Sequence, residues 1–198
     1  MHVEAYFLKG DPELATETQI KGDVIWCKTE ENLIPGLLKK TVLGMEAMLP
    51  RLDEFNFVIR TNLSSFFVFS RLLKFLELLP ATGCYYASSL HSKGVIFGSG
   101  AGIILSPDLV KYIIASKQKL MDQPVIDDVM LGHLLLQHGK KELLSASRMD
   151  FPNMETWLQE KDAIPDYIYH FRCKHENPDL RNCDEVFIQN ELVKMFYR

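Results

Sequence analysis

Phe97-Gly98-Ser99-Gly100-Ala101-Gly102-Ile103-Ile104-Leu105-Ser106-Pro107-Asp108 decides how the rest of this chain is read. Residues 95–97 are strand-like, and the small residues 98–102 read as a loop in which backbone can approach another group closely. Ser106-Pro107-Asp108 then starts a helix, with a hydroxyl at the cap and a proline at the first position. Upstream, residues 84–87 and 55–60 read as strands, the latter leaving through a polar turn at 61–65, and residues 69–79 as a helix before Pro80. Residues 3–8 are a strand that stops at Gly10-Asp11-Pro12, residues 13–21 are loop, and 23–27 form a short apolar strand of the kind buried on both faces. Asn32 caps a helix in which Leu33, Leu37, Leu38, Thr41, Met45 and Met48 recur at helical spacing until Pro50. Downstream, Asp127 and Asp128 open a helix running to His138 with Gly139 as its stop, and a last helix covers 184–196. This alternation predicts an α/β fold with a mainly parallel or mixed sheet flanked by helices, in one domain over residues 1–198.

Composition narrows the function. The 198 residues carry 22 Lys and Arg against 26 Asp and Glu, a formal charge of −4, which gives no general attraction to nucleic acid. At 47 % hydrophobic and 24 % charged the chain is ordinary globular material. Its apolar runs are too short to cross a bilayer, and no leader-like segment opens it. Cys27, Cys84, Cys173 and Cys183 lack metal-like spacing; Cys173 and Cys183 either pair across their loop or are, like the others, plain thiols. His91, His133 and His138 have no second ligand at a metal-like spacing and read as structural or solvated, and Lys39-Lys40 and Lys140-Lys141 as solvated charges.

Three polar clusters lie where α/β sheets hold ligands, past strand ends or at helix starts. They are Arg60-Thr61-Asn62-Leu63-Ser64-Ser65, the small-residue segment 98–102, and Asp127-Asp128. Each has a plainer reading as turn chemistry, packing, or first-turn acids favoured by the helix dipole.

Taken in order, these segments resemble the β1,3-galactosyltransferase, N-acetylglucosaminyltransferase and Fringe-like family of glycosyltransferases, including its divergent viral and microbial members. Tyr6-Phe7-Leu8-Lys9-Gly10 is similar to the family's "FLLG" strand, and Asp23-Val24-Ile25-Trp26 with Leu37-Leu38-Lys39-Lys40-Thr41 to its "DII…NLTLKT" segment. Ile59-Arg60-Thr61-Asn62-Leu63-Ser64-Ser65-Phe66-Phe67-Val68 falls where the family has "KTDDDVFV", and Leu72-Leu73-Lys74-Phe75-Leu76 matches the helix after it. The stretch from Phe97 to Ser106 resembles "Y-x-x-G-x-G-Y-v-l-S", and Val125-Ile126-Asp127-Asp128-Val129-Met130-Leu131-Gly132 resembles "EDV-x-x-G". Tyr169-His170-Phe171 sits where a His-containing C-terminal strand is expected.

The resemblance implies a GT-A-like, Rossmann-type fold that begins at the family's second strand. Either Met1 is then an internal boundary of a longer protein, or the base-binding half of the pocket is reduced. It further implies inverting transfer of a hexose or N-acetylhexosamine from a nucleotide-diphosphate sugar, a UDP-sugar by expectation, to a hydroxyl of a glycan or glycoprotein. Asp128 is the expected general base, with Asp127 as its alternative or as the helix cap. Arg60, Thr61, Asn62, Ser64, Ser65 and His170 would bind the donor diphosphate, and Ser99, Gly100, Ala101 and Trp157 the sugar or acceptor. Tyr85 and Tyr86 are further stacking candidates, while Trp26, in an apolar strand, reads as core.

The family holds Mn²⁺ or Mg²⁺ on an acidic triplet, where this chain offers only Asn62 and Ser64, with His170 as a further ligand. Asn62-Leu63-Ser64 is also a glycosylation sequon, which favours a cytoplasmic or virus-factory setting over the Golgi lumen. The competing class is a non-catalytic GT-A-like protein that binds glycan or a partner. A metal-dependent nuclease or phosphatase ranks third, since no second acidic cluster is visible.

Overall fold

The computed structural model describes residues 2–92, 94–138 and 142–198, apart from the side chains of residues 137, 138 and 182. Gly139 as a helix stop, Lys140-Lys141 as solvated charges and the side chain of His138 lie outside the described residues.

Among the described residues the chain is α/β, with helices flanking three mixed sheets rather than the expected one. In the first sheet β1 (Phe7–Gly10) runs parallel to β3 (Val24–Cys27), which pairs on its other side with antiparallel β2 (Thr18–Lys21). The expected loop at 13–21 thus contains a strand. Its residues are mostly exposed, so no buried face gave it an apolar alternation to detect. Gly22, at φ 61°, makes the tight connection from β2 to β3 in a conformation that favours glycine. Helix α1 (Gly36–Ala47) follows; it starts later than the expected Leu33, with Pro35 and not Asn32 at its cap position, and the Asn32 side chain accepts the Gly36 N–H at 2.8 Å from the preceding turn.

The second sheet positions the candidate site. A 3-10 turn at Leu49–Glu54 leads into β4 (Val58–Thr61), then β5 (Ser65–Phe67), α2 (Phe69–Leu76), β6 (Tyr85–Ser92) and β7 (Val95–Leu105). β4, β7 and β6 pair antiparallel in that spatial order, and the two-residue β8 (Leu144–Ser145) adds parallel to β6. Successive β7 residues point to opposite faces. Ile103 and Leu105 pack with Leu38 and Val42 of α1 and with Leu109 and Ile113 of α3 (Pro107–Ala115), while Ile104 packs with Leu72 and Tyr169. Burial on both faces explains why this part of the strand is a continuous apolar run. Ser106 occupies the cap position of α3 without capping it. Its hydroxyl accepts the Cys84 N–H (2.9 Å) and donates to Asp108 (2.6 Å), tying the strand exit to the helix.

After α4 (Lys117–Leu120), α5 (Asp127–His133) begins at the Asp pair and ends in a π turn, Leu134–His138. The third sheet joins β5, β10 (His170–Arg172) and β9 (Met149–Asp150), with α6 (Met154–Glu160) and α7 (Arg181–Phe196) packed around Phe151, Trp157 and Phe171. All four cysteines are free thiols; Cys27, Cys84 and Cys173 are buried and Cys183 is exposed. Among the described residues no helix is long and apolar enough to cross a membrane.

Candidate functional site

Residues 98–102 are not a loop. They lie inside β7, but the strand's pairing with β6 breaks there. Ile103 faces Ala87 and Gly98 faces Ser89, which leaves Ser99, Gly100, Ala101 and Gly102 opposite Ser88 alone. On the other side, pairing with β4 stops at Gly102–Thr61. A bulge of this kind leaves backbone groups without ladder partners, and buried ones must find others.

Side chains supply them. The Gly100 carbonyl accepts Arg60 Nη1, and the Gly100 N–H donates to Asp128 Oδ2 at 3.0 Å. The Ala101 carbonyl accepts the hydroxyls of Thr61 (2.7 Å) and Ser65 (2.6 Å), while its N–H reaches Ser99 Oγ at 3.4 Å. Small residues are a requirement of this arrangement. A Cβ on Gly100 would lie 2.6 Å from Arg60 Nη1 and 3.1 Å from Asp128 Oδ2, and one on Gly102 would lie 2.5 Å from His170 Cε1. Arg60, Thr61, Ser65, residues 99–102, Asp127, Asp128 and His170 are thereby brought into one cluster, although they span more than half the chain.

The two aspartates divide in role. Asp127, 1 % exposed, forms an ion pair with Arg60 and accepts the Thr41 hydroxyl of α1 at 2.8 Å. Arg60 therefore has its charge matched internally, and its guanidinium links α5 to β7 in addition to any contact with a diphosphate. Asp128 is half-buried and holds two backbone N–H groups, Gly100 on Oδ2 and Val129 on Oδ1 (2.8 Å). Burial pushes its carboxyl above the ordinary aspartate range, assisted by the neighbouring Asp127 charge and opposed by those two N–H groups and Arg60. Each oxygen keeps acceptor capacity beyond its one N–H.

His170, 2 % exposed, lies against Gly102 and stacks on Phe67 with ring centroids 4.4 Å apart. Its Nε2 has no hydrogen-bond partner. Burial, followed by the charges of Arg148 and Arg172 against the opposing pull of Asp150, lowers its pKa to about 3, so the ring is neutral at physiological pH.

Two of the three expected metal ligands meet other side chains of the fold. The Asn62 side chain lies 3.1 Å from the Ser65 hydroxyl, whose proton goes to Ala101, on an exposed turn, and the buried Ser64 hydroxyl donates to Glu185 (3.2 Å) and accepts Arg181 (3.1 Å) from α7. His170 is packed between Gly102 and Phe67, and none of the three residues is an acid. Ser64 is likewise withdrawn from the diphosphate role. Trp157 does not serve an acceptor: α6 turns it inward, and at 2 % exposure it meets Phe151 edge-on at 5.0 Å. Tyr85 is fully buried and accepts the Gly98 N–H at 2.7 Å, and Tyr86 packs on Phe75. Trp26 is only half-buried, with the Lys9 ammonium 5.4 Å from its ring centroid, and so is not core.

Two further residues join the site: Thr41, which holds Asp127, and Arg148. The latter donates to Ser99 Oγ at 2.8 Å and forks onto Asp150 through Nε and Nη2. The Arg-x-Asp spacing, which puts both side chains on one face of an extended segment, was the signal available. No protein-family model matches this sequence, and no curated protein matches it.

Proposed function

We propose that this chain is a GT-A-like inverting glycosyltransferase domain in which Asp128 is the general base. The donor is a nucleotide-diphosphate hexose or N-acetylhexosamine, a UDP-sugar in our reading, and the acceptor is a glycan or glycoprotein hydroxyl. The observation that supports this best is the placement of the Asp128 carboxylate. It is held by the N–H of Gly100 and by its own helix start, in a cluster where Arg60 meets the Gly100 carbonyl. In a single displacement the acceptor oxygen attacks the anomeric carbon, its proton passes to Asp128, and the nucleoside diphosphate departs with the bonding pair. A carboxyl whose proton affinity burial has raised suits that transfer better than a solvated one. The setting we favour is cytoplasmic or a virus factory, because Asn62 and Leu63 are exposed and would offer the sequon to a glycosylating compartment.

One observation favours a second reading, a non-catalytic protein that binds glycan or a partner. Arg60, Thr61 and Ser65 already have partners within the fold, and Asn62 and Ser64 bring no acid. A thermal-shift screen against UDP-, GDP- and TDP-sugars, with and without Mn²⁺ or Mg²⁺, separates the two, since a ligand of the native state must raise the melting temperature. A UDP-sugar shift followed by an Asp128→Asn loss of transfer of about two to four orders of magnitude, with the shift retained, is the expected result. Absence of any nucleotide-sugar shift at large excess would hand the site to the second reading.

A further inference from the structure

A cleft of about 600 Å³ opens beside the break in the β6–β7 ladder. Its wall includes Ser88, Ser147, Arg148, Glu160, Tyr167 and Ile168. We propose that this cleft is a subsite for a neutral pyranose with Tyr167 as its platform, and that it holds the acceptor sugar. The acceptor role rests on the transfer reading above; the sugar-binding chemistry stands on the following geometry.

Tyr167 is 71 % exposed, yet the turn that carries it is pinned. Arg71 Nη1 donates to the carbonyls of Pro165 (3.1 Å) and Ile168 (2.9 Å), and Nη2 reaches Asp166 at 3.1 Å. The Ile168 N–H closes the same turn on the Pro165 carbonyl at 3.1 Å. An aromatic face displayed on a fixed turn loses little conformational freedom on binding, and it presents an apolar surface with a polar edge. Ile168 and Met149 supply apolar lining, while Ser88, Ser147 and Glu160 supply hydroxyl and carboxylate partners.

Arg148 decides the charge class. Its side chain is 7 % exposed, and three of its five N–H groups are engaged, two by Asp150 and one by Ser99. The remaining N–H groups can donate to ligand oxygens without a net positive field to attract an anion. Arg148 and Arg172 both face Asp150, and Glu160 adds a second carboxylate, so two guanidiniums stand against two acids. A phosphorylated or sulfated ligand would have to displace Asp150 or meet Glu160. A neutral polyhydroxylated ring meets neither obstacle. The Arg148–Ser99 bond also ties the cleft to the segment that holds Asp128.

Ligand-observed saturation-transfer NMR on the full chain tests this, with methyl β-galactoside, methyl β-N-acetylglucosaminide and lactose as probes and glucose 6-phosphate as the anionic comparator. Neutral glycosides at about 10 mM should show transfer, since weak single-ring sites lie in the millimolar range. Tyr167→Ala should cut that signal by about fivefold or more, as the loss of a central aromatic contact does, and Tyr167→Phe should keep it. Both variants should melt with the parent. No signal from any neutral glycoside, a signal indifferent to Tyr167→Ala, or a stronger signal from glucose 6-phosphate would overturn the proposal. A UDP-sugar thermal shift without glycoside binding would overturn the cleft alone. Glycoside binding lost in Tyr167→Ala, without any nucleotide shift, would support the cleft and remove its acceptor role.

Discussion

In β7 the backbone of residues 99–101 leaves its ladders on both sides and is met by side chains from β4, β5 and α5, whereas the turn at residues 62–64 closes on Ser65 and on α7. Both segments belong to the motifs that suggested a glycosyltransferase. The first is tightly determined: its carbonyls need donors, its N–H groups need acceptors, and any Cβ at Gly100 or Gly102 would collide with the residues that answer them. The second is solvated at Asn62 and Leu63 and asks little of its residues. Arg60, Asp127, Asp128 and the glycines are therefore residues the fold itself requires. An acid at position 62 would serve only a ligand. Motif matches at fold-required positions speak for architecture, and it is the ligand-required positions that test activity.

The largest expected effect follows from the determined side of that contrast. Arg60→Ala leaves Asp127 charged and buried with only the Thr41 hydroxyl, and it strips the Gly100 carbonyl of its donor. Breaking a buried pair from one side costs about 3–5 kcal/mol. Asn62→Ala, on an exposed turn, should stay within about 0.5 kcal/mol of the parent. Denaturant midpoints at unchanged slope read both. An Arg60→Ala cost below about 1 kcal/mol would mean that the ion pair behaves as a solvated one, and the contrast between the two segments would fail.

Much of this arrangement was legible in the sequence because it is local. The Asp pair opens a helix and Ser106-Pro107 begins one, as their residue types demand. What escaped detection is non-local. Residues 98–102 carry no hydrophobic signal of their own, so a strand defined only by Thr61 and Ser89 on its neighbours looked like a loop. β2 has no buried face and gave no alternation. Trp157 was misplaced by its polar neighbours, although Met154 and Trp157, three residues apart on α6, mark the inward stripe. Arg148 belongs to no motif, and only the folded chain sets it beside Ser99.

A second way to sharpen the comparison is acid. His170 backs the bulge at Gly102, and its folded pKa of about 3 lies below the ordinary value of 6.5. Between those values the unfolded chain binds the extra proton, so this contribution is complete above pH 6.5 and is lost as the pH falls toward 3. The slope is at most about 1.4 kcal/mol per pH unit. From pH 6.5 to 5 stability should fall by about 1.6 kcal/mol through this group, above the range in which lowered carboxylates such as Glu185 begin to take protons. His170→Gln cannot titrate and should flatten the profile over that interval even where it lowers stability throughout. Asp128 has the opposite sign, because its raised pKa favours the native state at low pH, so Asp128→Asn should leave the His170 slope in place. An unchanged slope in His170→Gln would show that the ring is accessible to protons in the fold.

The smallest expected effect is the one that best probes the undetermined side. Asn62→Asp restores an acid at the position where the resembling family binds its cation. The turn is exposed, so the substitution should change stability by no more than about 0.5 kcal/mol. Its effect on Mn²⁺ affinity should be comparably small, at most about fivefold by calorimetry on the free protein, since one exposed charge gains about 1 kcal/mol or less. A hard cation needs several oxygens converging at fixed distance, and here Ser64 is committed to Arg181 and Glu185 while His170 is packed behind Gly102. Adding Ser64→Asp should not complete a site either. The new carboxylate would sit, buried, at the place where the hydroxyl now meets Glu185, a like charge, and the double variant should lose stability before it gains a cation. Micromolar Mn²⁺ binding by Asn62→Asp alone would show instead that the turn reorganises around a cation. Residues 62–64 would then be as determined by their partners as residues 99–102 are.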